Sequence, residues 1–501
     1  MRVRQTTLRP ASKQLVLPIE DSSRGGFDPY GAAFCAENSP TERRSQGITL
    51  TPEWLVHRMV DLANSLGEFD RVIDPGCATG RFALAACKRF RDASVVGIET
   101  HAGLASLAKD AASAQGLGSR LTVLEQDYRS VHLPTIAGRT LFIGNPPYVR
   151  HHDIDANWKA WYQREMGRLE ITASALAGLH AHFLMRTLQL ARRGDAFCFV
   201  TSAEWLDTKY GSAMRDLLVK HLCVSEMWLA DKSQPIFHDA LVSTLVFSGT
   251  VGCPVETVKL RQVCEGEHGS SILRTVTRRQ MADSSRWSEL WSRDEAVSEG
   301  QVELGEIFTV HRGQVTGNNA LWTYGNAYQE DLPDAVLKPC ITRARELFDL
   351  HTETLDSTDK LKRVIDIPAD WEPRLRGKPA ASVIRFLDWC GRHGGHDSYI
   401  AAHRKPWYSV RLGPPAPVLM TYMARRSPRF VVNPAQAGIL NIAHGLFPRM
   451  EMRQSELRRI VTALNSAAMP GAGRIYAGNL IKFEPSDAMR LRFWMPAEGG
   501  Q

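Results

Sequence analysis

The sequence predicts an α/β first half, with a mostly parallel sheet covered by helices on both faces, and a second domain of mixed character after it. Three observations carry this. Short β-rich runs alternate with helical stretches from about residue 51 to residue 250. Residues suited to ligand chemistry recur where those runs end, as they do beyond the carboxyl ends of strands in open α/β sheets. At 501 residues the chain exceeds one ordinary domain, so two or three units are expected.

Residues 1–45 carry mixed charge with Gly, Pro and Ser and no clean period, and read as a loosely ordered arm. At Thr51 a helix cap is expected, with Pro52 in its first turn and Leu55, Met59, Leu62 and Leu66 at helical spacing. Strands are expected at Arg71–Ile73, Ser94–Ile98, Leu121–Leu124, Thr140–Ile143, Ala196–Val200, Val224–Leu229 and Leu241–Phe247. Helices follow several of them, at Arg81–Lys88, Leu104–Ala114, Ala175–Ala191 and Lys209–Lys220. The first domain is thus placed at 46–255, a polar linker at 256–300, and a second domain at 301–501.

Composition sets outer bounds. Hydrophobic residues make up 44% and charged residues 23%, a globular balance with material for more than one core. There is no apolar run of membrane-spanning length and no apolar signal core after the basic start, which points to the cytoplasm and to no membrane partner. The nine cysteines form no C-x-x-C pair, and His151-His152-Asp153 reads as polar surface, so no metal is expected. A net charge of +7 permits a nucleic-acid partner without demonstrating one.

The first strand ends in Asp74-Pro75-Gly76-Cys77-Ala78-Thr79-Gly80-Arg81-Phe82, where small residues allow a tight turn and close approach to a ligand. Asp74 can accept from a cationic amino group. Glu99, at the end of the second strand, can take both hydroxyls of a ribose. Asp127-Tyr128, after the third, suits an adenine amine and its ring face. No phosphate-loop G-K-[ST] is present, so a nucleoside bearing an amino-acid tail, S-adenosylmethionine, fits better than NAD or ATP.

The fourth strand ends in Gly144-Asn145-Pro146-Pro147-Tyr148. Two prolines fix the backbone and remove two N–H donors, leaving acceptors. The Asn145 side-chain oxygen and the Pro146 carbonyl could then hold both hydrogens of a planar amine, with its lone pair free to attack a sulfonium methyl group. Tyr148 offers a stacking face.

Together these residues resemble the gamma class of N6-adenine-specific DNA methyltransferases, from Gly47 onward. The resemblance implies a Rossmann-like class I methyltransferase domain with a seven-stranded sheet and an α+β target-recognition domain. It implies cofactor contacts from Thr51, Asp74, Gly76, Cys77, Gly80, Phe82, Glu99, Asp127, Tyr128 and Asn145, with Ala78 standing where a glycine is common. Asn145, Pro146, Pro147 and Tyr148 match the catalytic segment, and Phe237 matches the aromatic that faces Tyr148 across a flipped adenine. Leu304 to Asn318 is similar to the start of the recognition domain. Double-stranded DNA is the implied substrate, and a separate cognate restriction endonuclease an implied partner. Arg312, Asn318, Arg404, Lys405, Arg425, Arg426 and Arg429 are the candidate DNA contacts. Other readings remain: a guanine amine in RNA, a protein glutamine, or a DNA-binding specificity protein without activity.

Overall fold

The computed structural model describes residues 28–45, 47–230, 236–237, 243–264, 272–291, 300–467, 473–476 and 480–496. The chain divides into two units, Met1–Arg293 and Asp294–Gln501.

The first unit is built on nine strands: β1 (Arg71–Pro75), β2 (Ser94–Glu99), β3 (Leu121–Glu125), β4 (Thr140–Gly144), β5 (Ala196–Ser202), β6 (Val224–Ala230), β7 (Thr244–Thr250), β8 (Thr257–Val263) and β9 (Ile272–Thr277). They form one sheet in the order β3-β2-β1-β4-β5-β7-β6-β8-β9. Pairing is parallel from β3 through β5, and β7 runs antiparallel to both β5 and β6. The central strands alternate strictly. Val72, Leu141, Ile143, Ala196, Cys198 and Val200 belong to one hydrophobic cluster, and Ile73, Phe142, Phe197 and Phe199 to another. Period-two alternation between two buried clusters is what a sheet covered on both faces requires. Each large side chain so buried contributes about 1.5–3 kcal/mol.

The helices are α1 (Pro29–Glu37), α2 (Pro40–Ser45), α3 (Glu53–Asn64), α4 (Arg81–Arg89), α5 (Ala102–Ala114), α6 (Ala156–Gly167), α7 (Leu179–Leu190), α8 (Ser212–Leu217) and α9 (Arg278–Asp283). The first cluster takes Leu55, Val56 and Met59 of α3 and Ala83 and Leu84 of α4. The second takes Tyr162 and Met166 of α6, Ala181 and Leu184 of α7, and Met214 and Leu217 of α8. The chain runs outward from β1 to β3, then returns to β4 on the other side of β1. The carboxyl ends of β1 and β4 therefore flank the topological switch point, where such sheets bind ligands.

Four expectations are corrected here. Residues 256–300 are not only a linker: Thr257–Val263 pairs in parallel with β6, and Ile272–Thr277 closes the edge antiparallel to β8. Val258, Leu260 and Val263 turn inward while Thr257 and Lys259 face out, an alternation obscured by the charges interleaved with it. Among the described residues the sheet consequently has nine strands rather than seven. Within the expected arm, residues 28–45 form two helices, with Asp28 capping α1 through the Gly31 N–H at 2.7 Å; residues 1–27 lie outside the described residues. Thr51 makes no cap, since Pro52 precedes the first residue of α3 and the Thr51 hydroxyl is turned elsewhere. The proposed start of the last strand, Leu241, also lies outside the described residues.

In the second unit, Phe308–Arg312, Ala443–Pro448, Val418–Thr421 and Phe430–Val432 form a four-stranded antiparallel sheet in that order. Helix Gln454–Ser466 packs Leu457, Ile460, Val461 and Leu464 into the same cluster as Phe308 and Val418. Leu337–Ile341 is paired with Lys362–Ile365 on one side and Gly438–Ile439 on the other. Phe386 of helix Lys378–Arg392 shares a cluster with Leu337 and Val364. This is an α+β unit. Among the described residues, no helix is long and apolar enough to cross a membrane.

Candidate active site

The loop between β1 and α4 turns through three left-handed residues, Gly76 (φ +75), Ala78 (φ +47) and Gly80 (φ +86). A side chain at Gly80 would lie 3.2 Å from the Ala108 Cβ, so the loop sits tightly on α5. Ala78 adopts a conformation that glycine would hold with less strain, and its N–H donates to Glu99 at 3.0 Å. The other Glu99 oxygen accepts the His101 N–H at 2.9 Å. Two backbone donors thus aim the carboxylate at the end of β2. Cys77 and Phe82 are buried in the first cluster.

Asp74 closes β1 and is 1% exposed. One carboxylate oxygen accepts the Ala83 N–H at 3.0 Å, while the other, Oδ1, is buried without a partner. Burial raises its carboxyl to about 8; the Ala83 N–H opposes the shift and Glu99 adds to it. The neighbouring strand leaves room only for glycine, because a Cβ at Gly144 would stand 2.7 Å from Asp74 Oδ1.

Asn145 follows at the end of β4. Its Nδ2 donates to the Thr49 carbonyl and the Thr51 hydroxyl, each at 3.1 Å. A carbonyl only accepts, so the amide orientation is determined, and Oδ1 is left as a buried acceptor with no partner. Asp74 and Asn145 therefore present two unpartnered oxygens from adjacent strands, the first an acceptor once its carboxyl is ionised. A buried acceptor left unpaired costs on the order of 1–3 kcal/mol, and such costs concentrate at functional sites. Pro146 is buried; Pro147 and Tyr148 are half-buried. A Cβ at Gly76 would meet Pro147 Cδ at 3.4 Å, which brings the two loops side by side. The Tyr148 hydroxyl is buried and unpaired, and burial lifts its phenol above the ordinary value.

Other expected positions behave differently. Tyr128 covers no open ring face: it is 1% exposed, its hydroxyl 3.0 Å from that of Thr187 and its ring 5.0 Å from Phe183, because the residue after Asp127 turns inward beneath α7. Asp127 is clasped by Arg129, with the shortest contact 2.6 Å. Burial pushes its carboxyl up, but the Arg129 side chain and N–H outweigh this and hold it low. Arg129 in turn lies 4.1 Å above the Trp158 ring. Phe237 is 4% exposed and belongs to the cluster of Leu55, Met59 and Trp228, so its apolar ring is core in this structure, with no described ring contact to Tyr148.

The candidate DNA contacts also divide. Arg404 donates to the Val315 carbonyl, and Arg429 to the Thr352 carbonyl at 3.2 Å with Glu353 at 3.8 Å, so these two brace their own unit. Asn318 caps Asn319–Trp322 through the Ala320 N–H at 3.1 Å. Arg312 lies over Tyr422 at 4.7 Å and Arg426 over Phe348 at 3.8 Å. Arg312, Lys405, Arg425 and Arg426 are exposed.

Two buried histidines on α7 adjoin this region, the N–H of Leu179 donating to the Val149 carbonyl at 3.0 Å. Burial lowers His180 to about 4, and burial with the Arg129 and His180 charges lowers His182 to about 3. Both are neutral when folded, with folded values below the ordinary value of about 6.5. The stability they contribute is present above about pH 6.5 and lost as pH falls towards 4 and 3. His180→Gln is expected to flatten the loss of stability between pH 7 and pH 5 by about 1–2 kcal/mol, read by urea melts at each pH. An unchanged slope would mean that His180 titrates normally.

Nothing in the sequence marks Thr49, whose carbonyl takes the Asn145 Nδ2–H, or Arg129, which lies over Trp158. Asp28, 53 residues from its partner Arg81, was equally hidden.

Family models match along the chain: the C-terminal domain of Type II methyltransferase M.Eco57I over residues 292–499, the Eco57I restriction-modification methylase over 138–237, and a methyltransferase domain over 72–163. The chain is 42% identical to Type II methyltransferase M.XamI of Xanthomonas campestris pv. amaranthicola over 448 residues, 89% of this chain and 84% of the relative. It is 20% identical to Type II methyltransferase M.AccI of Acinetobacter calcoaceticus, over 69% of this chain and 67% of that one. The Type IIL restriction-modification enzyme MmeI, solved in complex with DNA, is similar in fold, with TM-score 0.58 and 12% identity over 88% of this chain and 67% of that chain. The family models and a relative 42% identical over most of both lengths agree, and the chain belongs to the gamma-class DNA methyltransferases of type II restriction-modification systems.

Proposed function

We propose that this methyltransferase uses S-adenosylmethionine to methylate the exocyclic N6 amine of an adenine rotated out of a specific duplex sequence. The observation that carries the reading is the locked Asn145 amide, whose buried Oδ1 has no partner. An aromatic amine has two hydrogens to give, and among the described residues no other group answers that oxygen.

The cofactor, when bound, supplies an electrophilic sulfonium methyl group. The residues fit it: Asp74 Oδ1 is an unpaired acceptor for an ammonium group, and Glu99 is aimed by two backbone donors while keeping lone pairs for ribose hydroxyls. The Gly76 and Gly80 backbone allows close approach. At the reacting centre, Asn145 Oδ1 and the Pro146 carbonyl accept the two amine hydrogens. They orient the nitrogen lone pair and stabilise the positive charge that develops on it. No strong base is needed, because the amine sheds its proton once it becomes cationic. Tyr148 gives the base a ring to stack on, in a site that a stacked duplex base cannot reach without flipping, at a cost of a few kcal/mol, roughly. Exposed Arg312, Lys405, Arg425 and Arg426 offer charge for phosphates or guanine edges. A separate endonuclease reading the same sequence is the partner this role implies.

The test is methylation of a sequence-diverse, unmodified DNA library with purified protein and S-adenosylmethionine, modified bases being mapped by direct sequencing. N6-methyladenine at one recurring sequence is expected. Methylation of RNA or protein amines instead, or a different modified base, would overturn the reading.

A further inference from the structure

Asn145 is held by Thr49 and Thr51, and that segment is itself held from behind. Arg81, the first residue of α4, donates Nη1 to the Thr51 carbonyl at 2.7 Å. Its Nε donates to Asp28 Oδ2 at 2.8 Å, in an ion pair whose acid is fully buried. The same Asp28 oxygen accepts the Thr79 hydroxyl at 2.7 Å, and Oδ1 caps α1 through Gly31. The Asp28 N–H donates to Glu53 at 3.0 Å, at the start of α3. One residue, through its carboxylate and its N–H, therefore ties α1, the cofactor loop and the entry to α3 together. On the apolar side, Phe34 of α1 joins Leu104 and Leu107 of α5, with Ile48 and Ala78 packed against them.

We propose that Asp28 and Arg81 are positioning residues for Asn145, an inference that rests on the function proposed above. The guanidinium fork spans two acceptors that a single point charge cannot span: one on α1, the other on the segment that grips the catalytic amide. With the fork in place, the Thr49 carbonyl and Thr51 hydroxyl stay where Nδ2 needs them, and Oδ1 keeps its aim. Without it the segment gains freedom, and the amine is held in the reactive geometry for a smaller fraction of the time. The pair touches no substrate. Its effect belongs to the rate of transfer rather than to affinity.

The experiment uses the full chain with tritiated S-adenosylmethionine and unmodified genomic DNA, counting methyl groups on any base in a single turnover. Arg81→Lys keeps the charge beside Asp28 but cannot reach both acceptors. It is expected to slow transfer at least about tenfold at saturating cofactor and DNA. Cofactor and DNA affinities should stay within about threefold of wild type, with a cooperative melt retained. Asp28→Asn, which keeps the α1 cap, should give the same split and serves if Arg81→Lys does not fold. An unchanged rate, or a loss explained by weaker cofactor binding, overturns the positioning role while leaving the function standing. A wild-type chain that binds cofactor but transfers nothing to DNA overturns both.

Discussion

Replacing Asn145 with alanine is expected to slow methyl transfer by about 10²–10³-fold while leaving cofactor affinity nearly unchanged, the signature of an interaction made at the reacting centre. Single-turnover rates beside calorimetric cofactor titration would check it. Asn145→Asp is the sharper variant. It keeps an oxygen where Oδ1 stands but sets a second acceptor against the Thr49 carbonyl, where Nδ2 now donates at 3.1 Å. Two acceptors in contact repel, so the carboxylate must rotate or take a proton, and both disturb the oxygen that faces the base. Aspartate should therefore fall well below wild type despite being nearly isosteric. Wild-type activity in Asn145→Asp would remove the locked amide from the mechanism.

The second large effect concerns pH. With its carboxyl raised to about 8, Asp74 is mostly protonated at neutral pH in the unliganded protein. Engaging an ammonium group requires the ionised form, so binding the cation releases a proton. Cofactor affinity is expected to weaken about tenfold per pH unit from pH 8 towards 6, and Asp74→Asn should bind weakly with a flat profile. The stability effect has the opposite sense to that of the histidines. A folded value above the unfolded one gives stability that is fully present below about pH 4 and lost as pH rises through 8. Asp74→Asn should then melt higher than wild type near pH 8 without cofactor. Parallel binding profiles in the two proteins would mean that Asp74 is ionised throughout.

Much of this was legible in the sequence because the signals were local. Seven strands announced themselves as apolar runs, and the two chemistry-bearing turns were read from consecutive residues, Asp74 to Phe82 and Gly144 to Tyr148. What escaped depends on contacts far apart in the chain. Tyr128 reads the same whether its ring faces a ligand or Thr187, and only the placement of α7 decides. Strand β8 hid because Gln262 falls where its alternation would place an apolar residue, although its partner β6 determines its register. Residues 28–45 looked polar and irregular, yet one buried aspartate and Phe34 are enough to dock them, since their partners lie on α4 and α5. Among the basic candidates, Arg404 and Arg429 answer carbonyls of their own unit, partners that charge along the sequence does not reveal.

The locked amide also bears on what the site refuses. A freely rotating asparagine is ambidextrous, able to offer N–H to a carbonyl-bearing base as readily as oxygen to an amine. With Nδ2 tethered to Thr49 and Thr51, that second hand is tied. Thymine or hypoxanthine would bring its own carbonyl oxygen against Oδ1 and find only repulsion. Under the proposed reaction the site would filter bases by hydrogen-bond polarity, rejecting mistaken entry by an unpaired contact rather than by shape, a difference that can reach 10⁴-fold, roughly, where size alone gives far less.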